Sequence, residues 1–469
     1  MWGKFNNMQL LPNELVDQIS DTNELNLAIQ LNNKYAIKKL YDRKKHTFHW
    51  AAWNGHLEVI KWLHENRKQE YDFARDAMNY AARHGRLEIV KWLHENRTEG
   101  CTTDAMDFAA KNGHLEVVKW LHENRTEGCT KKAMDGAAQY GHLEIVKFLH
   151  DFRTEGCTKS AMNCSSCHGH LEIVKWLHFN RSEGCNENAM DWAAQGGYLE
   201  VIKWLHKNRK EGCTDHAMSS AAIKGHLEVV KFLHENRIEG YLQESIYGAT
   251  VSGQLEILKW FHSKKPEECR HTMSIAAGSG QLEILKWFHL DGRQECTTDA
   301  MDSAAANGHL VVIKWLHKNR TEGCTTYAMD QAAWGGHLKI VKWLHENRTE
   351  GCTTHAMNGA ADCGHLELVK WLHENRTEGC SKKAMDFAAW KGHLEVVKWL
   401  HENRTEGCTA EAMHVAAERG HLEVVKWLYF NRTEGCPTWA MRHASIARTQ
   451  TEAIKETVTW LKIQLNIED

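Results

Sequence analysis

Hydrophobic residues recur along this chain in two alternating helical patterns. In residues 113–125, Leu115, Val118 and Leu121 are spaced three apart, and mostly charged residues separate them. This spacing predicts a helix with one broad buried face. After a glycine-containing loop, residues 129–139 place alanine and methionine at positions four apart, which predicts a shorter, closely packed helix. Neither stretch alternates apolar and polar residues as a strand does, so the pattern indicates an all-α chain.

The two patterns together form a unit that repeats with a nearly constant period. The glycine that precedes the longer helix recurs every 28 residues, with one step of 27 near the middle and one of 30 at the start. A period in this range is typical of a solenoid, in which each unit packs only against its neighbours. The 14 glycines are Gly55, Gly85, Gly113, Gly141, Gly169, Gly197, Gly225, Gly253, Gly280, Gly308, Gly336, Gly364, Gly392 and Gly420.

The segment AAKNGHLEVVKWL at residues 109–121 resembles the ankyrin repeat family, and the similarity extends through every unit. The resemblance implies an all-α, right-handed helix-turn-helix solenoid of about 14 ankyrin-like repeats with atypical terminal caps. The alanine-rich helix would be the first helix of each repeat, and the longer helix the second. Because the unit is shorter than the 33-residue family repeat, we expect shortened or absent β-fingers. At residues 104–107, DAMD replaces the family's T-P-L-H and its capping threonine.

The two ends of the chain depart from the repeat, and we expect both to be caps. We predict an N-terminal capping region at 1–44, with a worn repeat at 22–44, an ankyrin-like array at 45–435 and a C-terminal capping repeat at 436–469. We interpret residues 11–19 as a capping helix with proline near its start. The alternative is the F-box-like motif that they resemble, which would bind a Skp1-type adaptor of a ubiquitin ligase. The matching residues are Leu11, Pro12, Glu14, Leu15 and Ile19.

Composition narrows the expected partners. The net charge is only −3, whereas nucleic-acid binders are usually basic, so we expect no nucleic-acid partner. No apolar run is long enough to span a bilayer, and the N-terminus lacks a secretion signal, so we expect a cytoplasmic monomer without membrane contact. Twelve of the 15 cysteines recur once per unit. We expect these to be buried, reduced hydrophobic residues.

Two features suggest chemistry, but simpler interpretations are preferred. Trp120 and its equivalents, which are tryptophan in 12 units and phenylalanine in two, could form a stacking platform; we predict that they belong to the core. Cys164, Cys167 and His168 have the spacing of a haem attachment site. A thiol pair, or zinc held with His168, fits these residues better than haem does, but we predict no metal site. No catalytic or cofactor motif is present, so we predict a non-enzymatic protein without cofactors.

The copies can be compared with one another to find positions that packing does not constrain. Within the first helix the varying positions are those of Asp104, Phe108 and Lys111, which lie on one helical face. In ankyrin proteins this face is concave. Aromatic and charged side chains at such positions are typical of protein-binding sites, although drift at unconstrained positions is the alternative. The candidate residues are Trp50, Trp53, Tyr80, Arg83, Phe108, Trp192, Tyr327, Trp334, Phe387, Trp390 and Trp439.

These observations predict a protein-protein interaction scaffold that binds its partner through the concave face. An F-box-type substrate receptor, with residues 11–19 as the adaptor contact, is the alternative. A solenoid that reads RNA is possible in outline, but the slightly acidic charge balance disfavours it.

Overall fold

The computed structural model confirms an all-α repeat fold. All elements in the described part of the chain are helices, and none of its loops contains a strand, in agreement with shortened or absent β-fingers. The F-box-like motif at 11–19 and the worn repeat at 22–44 lie outside the described residues, so both stay predictions, as do the domain boundaries after 44 and 435. The structure describes residues 47–66, 74–236, 242–292, 296–447 and 451–467.

Fifteen helix pairs follow one another in the described residues. The first helices are α1 (Thr47–Asn54), α3 (Ala74–Arg83), α5 (Thr103–Lys111), α7 (Lys131–Gln139), α9 (Lys159–Cys167), α11 (Asn188–Gly196), α13 (His216–Lys224), α15 (Leu242–Val251), α17 (Thr272–Gly278), α19 (Thr298–Ala306), α21 (Thr326–Trp334), α23 (Thr354–Asp362), α25 (Lys383–Lys391), α27 (Glu411–Glu418) and α29 (Pro437–Ser445). The second helices are α2 (Leu57–Asn66), α4 (Leu87–Asn96), α6 (Leu115–Asn124), α8 (Leu143–Phe152), α10 (Leu171–Asn180), α12 (Leu199–Asn208), α14 (Leu227–Asn236), α16 (Leu255–Lys264), α18 (Leu282–Asp291), α20 (Leu310–Asn319), α22 (Leu338–Asn347), α24 (Leu366–Asn375), α26 (Leu394–Asn403), α28 (Leu422–Asn431) and α30 (Glu452–Leu465).

Local interactions explain where these helices begin and end. The side chain of Thr130 accepts a hydrogen bond from the backbone N–H of Lys132, as predicted for the residue that caps a first helix. Thr102 does the same for α5, so the capping threonine is retained although DAMD replaces T-P-L-H. Gly113 joins the two helices with a φ of 82°, a left-handed conformation that glycine adopts without strain. A Cβ atom at Gly113 would lie 2.6 Å from the ring of His142 in the next repeat.

The core lies between the two layers of helices. Val117, Val118 and Leu121 of the second helix are buried, as are Met106 and the alanine pair of the first helix. Because alanine is small, consecutive first helices approach one another more closely than consecutive second helices do. No helix in the described ranges combines the length and hydrophobicity needed to cross a bilayer.

The tryptophan at the position of Trp120 is only half-buried, which differs from the predicted core position. It lies at the margin of the apolar face, where the ring of His94 from the preceding repeat packs edge-to-face against it at 5.2 Å. The same pairing recurs in most repeats. The fully buried aromatic residues are instead Phe261 and Phe288, which occupy the core position that holds leucine in the other units.

A second set of contacts joins nine of the described first helices to the next repeat. Asp107 is buried, and its carboxylate accepts hydrogen bonds from the backbone N–H of Thr130 at 2.7 Å and from its hydroxyl at 2.6 Å. These bonds explain why the position holds aspartate rather than a residue chosen only for helix propensity. Equivalent pairs are Asp135–Thr158, Asp191–Thr214, Asp302–Thr325, Asp330–Thr353 and Asp386–Thr409, with amide or hydroxyl versions at Asn79–Thr102, Asn163–Asn186 and Asn358–Ser381.

The middle of the chain is irregular. A 3-10 helix at Pro266–Cys269 precedes α17, which has only seven residues. Packing divides the chain into two compact units, which we call unit 1 (residues 1–221 and 228–240) and unit 2 (residues 222–227 and 241–469). The division falls at residues 222–241, before this irregular segment.

An arginine-glutamate pair links neighbouring second-helix ends. Arg125 Nη2 donates to Glu127 Oε1 at 2.5 Å, and Arg125 Nη1 donates to His94 Nδ1 of the preceding repeat at 3.2 Å. Glu127 also accepts the backbone N–H of Cys101 at 3.2 Å. Burial alone would raise the pKa of Glu127, but the bonds from Arg125 and from backbone N–H groups outweigh it and lower the pKa to about 2. Ten described repeats have such a pair.

Glu127→Gln is therefore expected to destabilise the protein at neutral pH and to have little effect in acid. A carboxylate whose pKa is lowered by folding contributes stability above its unfolded pKa, and this contribution disappears as the pH falls towards its folded pKa. The expected cost at neutral pH is about 1 kcal/mol, because the pair is partly exposed. Urea unfolding of both proteins between about pH 7 and pH 2 measures the difference. A difference that does not change with pH would contradict the assignment.

Candidate protein-binding surface

The predicted positions on the first helices are accessible, and we call them together the first-helix surface. Asp104 is exposed, and Phe108 and Lys111 are half-buried, whereas the alanine and methionine positions between them are buried. The structure therefore separates residues that pack the stack from residues that a partner can reach. The first helices are fixed by packing and by the aspartate-threonine bonds, so they present these side chains on a rigid support.

Unit 1 brings four of the predicted residues together. The ring of Trp53 lies 5.8 Å from that of Tyr80, and it stacks on His84 with centroids 4.6 Å apart. The guanidinium of Arg83 lies 4.9 Å from the ring of Phe108 and 6.0 Å from that of Trp53. The arginine thus joins two repeats through cation-π contacts, which hold the cluster in place without burying it.

The cluster continues through residues that the sequence reasoning missed. Lys111 Nζ lies 5.4 Å from the ring of Tyr140, and Tyr140 lies 5.9 Å from the ring of His168. Tyr140, His168 and His84 occupy the position one residue after that of Lys111. This position also varies among the copies, so the comparison of copies could have identified it. The prediction from the sequence was limited to the positions of Asp104, Phe108 and Lys111, which are spaced i, i+4 and i+7.

Two predicted residues of unit 1 lie outside this cluster. Trp50 stacks on His56 in its own repeat at 5.4 Å. Trp192 is half-buried, and its ring makes no ring contact in the described part of the chain. Both remain on the first helices, but the structure does not join them to the Trp53 cluster.

In unit 2 a pair of cations covers Trp390. Lys391 Nζ lies 4.3 Å from the Trp390 ring, and the guanidinium of Arg419 from the next repeat lies 5.3 Å from it. His421 Nε2 donates to the backbone carbonyl of Trp390 at 3.1 Å. Burial lowers the pKa of His421, and the bond to Trp390 opposes that shift. The result is an aromatic ring with a positive rim.

The remaining predicted residues of unit 2 are exposed. Trp439 packs against His414 and His443 with ring centroids 4.8 and 4.6 Å apart. Tyr327, Trp334 and Phe387 are exposed, and within the described ranges their rings make no contact with other rings. Trp334 lies beside Gly359, where an added Cβ would come within 3.0 Å of the Trp334 Cβ. The glycine thus leaves room for the indole on the surface of the next repeat.

The surface provides hydrophobic and cationic contacts for a partner. Exposed aromatic rings with charged neighbours are the groups that dominate protein-protein binding energy. Among the described residues, no cluster of three His, Cys, Asp or Glu side chains could hold a metal ion. His168 does not join Cys164 and Cys167 as a third ligand; its Nδ1 donates to the backbone carbonyl of Cys164 at 2.9 Å.

Among solved structures, the chain aligns with structures of a pentatricopeptide repeat protein. The pentatricopeptide repeat protein PPR10 from maize is 10% identical, and the alignment covers 96% of this chain and 82% of that chain with a TM-score of 0.29. PPR10 in complex with an 18-nucleotide psaJ RNA element is 10% identical, with 96% and 75% coverage and a TM-score of 0.33. Comparison with curated proteins finds no match.

The prediction that nucleic acid is excluded as a partner was wrong; one of the aligned structures is a complex with RNA. The prediction rested on a net charge near zero, which is an average over the chain. Cations still gather locally beside aromatic rings, as Lys391 and Arg419 do beside Trp390.

Family models match most of the repeat array. A model of three ankyrin repeats matches residues 48–135, 106–191, 134–211 and 357–438. A model of many ankyrin repeats matches residues 294–345. Together they cover more than half of the 469 residues, including both units. The chain therefore belongs to the ankyrin repeat family.

Proposed function

We propose that this protein is a non-enzymatic, cytoplasmic scaffold that binds a protein partner through its first-helix surface. The observation that carries the proposal is the contrast between constant and variable positions within one repeat. The constant residues are buried or bonded to the neighbouring repeat, whereas the variable residues form aromatic and cationic clusters that are exposed or half-buried. A stack that needed only to be stable would not require large aromatic rings at these accessible positions.

The physical properties of the clusters suit a protein partner. Large rings such as Trp334 and Trp390 offer apolar area at little conformational cost, and Lys391 and Arg419 can reach acidic side chains at the rim. Because packed helices hold the rings before binding occurs, little ordering entropy is lost on association. Family membership supports the same conclusion, since ankyrin repeats suggest interaction scaffolds.

The double variant Trp334→Ala and Trp390→Ala is expected to weaken partner binding by at least about tenfold, since central aromatic residues often contribute 2 kcal/mol or more each. The matched control is Phe179→Ala with Phe430→Ala, which removes exposed rings from second helices. Partners captured with the intact chain would be purified, and their affinity for each variant measured. Circular dichroism would check that every variant remains helical.

Equal affinity of the partner for both double variants would contradict the proposed surface. Capture that depends on nuclease-sensitive material would instead indicate a nucleic-acid ligand and would contradict the proposed class of partner. These two results are distinguishable, because the first concerns the location of binding and the second concerns its chemistry.

A further inference from the structure

Three cysteines lie outside the position that recurs once per repeat, and two of them, Cys164 and Cys167, are on one helix. The recurring cysteines that precede the first helices are mostly buried, and burial raises the pKa of Cys101 to about 11 and that of Cys129 to about 12. Cys164 and Cys167 are only half-buried. They occupy the positions equivalent to Phe108 and Lys111 on helix α9, so both thiols belong to the first-helix surface.

The spacing of the two thiols brings them close to disulfide geometry. Residues three apart on a helix face the same side, with Cβ atoms about 5–6 Å apart. A disulfide needs Cβ atoms about 3.5–4.5 Å apart. Cys167 is the last residue of α9, so the final turn can unwind from its C-terminal end while the rest of the helix stays formed. Unwinding this turn frees the backbone at Cys167 to bring the two Cβ atoms within the range of a disulfide.

The sequence between the thiols makes that turn easier to deform. Most repeats have two alanines here, but α9 has Ser165 and Ser166. Both hydroxyls donate to the backbone carbonyl of Met162, at 3.1 and 2.7 Å. Serine side chains that bond back to the preceding turn slightly weaken and bend helices. Helix α9 thus combines a thiol pair with a softened final turn.

We propose that Cys164 and Cys167 form a redox-modifiable dithiol, which hydrogen peroxide converts into a disulfide within the helix. One thiolate attacks the peroxide, the O–O bond breaks, a sulfenic acid forms, and the departing hydroxide takes up a proton to give one water. The second thiolate attacks the sulfenic sulfur, the S–O bond breaks, and the departing hydroxide takes up a proton to give a second water. The two thiols lose two electrons in total, and the peroxide gains them. A dithiol reductant reverses the change.

A disulfide between Cys164 and Cys167 would change the first-helix surface next to the pair. His168, directly after Cys167, contacts Tyr140 at the end of the Trp53 cluster. Closing the disulfide would alter this end of the first-helix surface in unit 1. That consequence rests on the proposed function, whereas the oxidation itself does not.

Peroxide titration of the full-length protein tests the proposal. After treatment, the remaining thiols are alkylated with N-ethylmaleimide in denaturant, and tryptic peptides are weighed. Both cysteines fall in the peptide Ser160–Lys175. The expected result is loss of two hydrogen atoms from this peptide, no alkylation of it, and restoration of both labels after dithiothreitol. With Cys164→Ser the internal loss of hydrogen should disappear.

Cys436 is the matched control thiol. It is exposed, and a hydrogen bond with the Thr438 hydroxyl lowers its pKa, so it is a more available nucleophile than either member of the pair. It has no second cysteine within a turn, so it should give only sulfur oxyacids or intermolecular disulfides. Two intact maleimide labels on Ser160–Lys175 after peroxide, whatever the state of Cys436, would overturn the proposal. Oxidation of one cysteine of that peptide to a sulfinic acid without a disulfide would also overturn it.

Discussion

Replacing Phe288 with alanine is expected to lower the free energy of unfolding by about 3–5 kcal/mol, the cost typical of emptying a buried phenylalanine site. Phe288 is 0% exposed. Its ring packs against Trp287 at 4.8 Å and against His262 at 5.4 Å, so the removed volume has no solvent to fill it. The midpoint of urea unfolding reports the loss. Hydrogen exchange would show whether it is concentrated in the repeats around α18, because solenoids unfold partly by neighbouring units.

The matched control lies two residues further along the same helix. Leu290 is 83% exposed, so Leu290→Ala should change stability by no more than about 0.5 kcal/mol, as is usual for surface substitutions. The comparison separates loss of packing from any general sensitivity of α18 to substitution. Similar unfolding midpoints for the two variants would mean that Phe288 does not fill a core site.

Features that depend on residues close together in the sequence were predictable. The repeat length, the two helices per unit and the capping role of Thr130 all follow from interactions within a few residues. The turn at Gly113 belongs to the same class, since its positive φ is a property of a single residue. The all-α ankyrin architecture could therefore be predicted before any contact between repeats was known.

Features that depend on contacts between repeats were missed or misjudged. Trp120 was predicted to be in the core because it lies on the apolar side of its helix. That side is wider than the buried strip, and the partner of Trp120 is His94, which lies 26 residues earlier and on another helix. A helical pattern contains no information about which neighbour covers the margin of its apolar face.

The aspartate-threonine bonds illustrate the same limit. Asp107 was interpreted only as a departure from the family motif, because its partner, Thr130, belongs to the next repeat. A signal was nevertheless present, since the two positions change together in one of the copies. There Ser219 is followed 23 residues later by Leu242 rather than by threonine. Paired changes between copies could have predicted the bond.

The candidate surface was predictable as a face but not as a set of clusters. The variable positions identified the accessible side of the first helices. Which rings touch depends on side-chain length and direction across neighbouring repeats. Arg83 illustrates this, because it reaches Trp53 in the preceding repeat and Phe108 in the following one. Sequence spacing alone does not distinguish this arrangement from that of Trp192, which makes no ring contact in the described part of the chain.

Replacing Asp386 with alanine is expected to lower the free energy of unfolding by about 2–3 kcal/mol, because buried donors left without partners cost about 1–3 kcal/mol. Asp386 is 6% exposed, and its carboxylate accepts the backbone N–H of Thr409 at 2.8 Å and its hydroxyl at 3.0 Å. The substitution removes both acceptors from the boundary between two repeats. Urea unfolding measures the loss, and faster exchange of the Thr409 amide would localise it.

Asp386→Asn is the control, since it separates the hydrogen bonds from the charge. Asn79 fills the same position with its Oδ1 accepting the Thr102 N–H and its Nδ2 donating to the Thr102 hydroxyl, both at 3.0 Å. We therefore expect the amide at Asp386 to be tolerated within about 1 kcal/mol. Burial raises the pKa of Asp386 despite the bonds from Thr409, so its ionisation opposes folding as the pH rises through that pKa. The stability of Asp386→Asn relative to the parent should consequently rise with pH over this range. A loss as large as that of Asp386→Ala would mean that the charge, rather than the pair of hydrogen bonds, holds the repeats together.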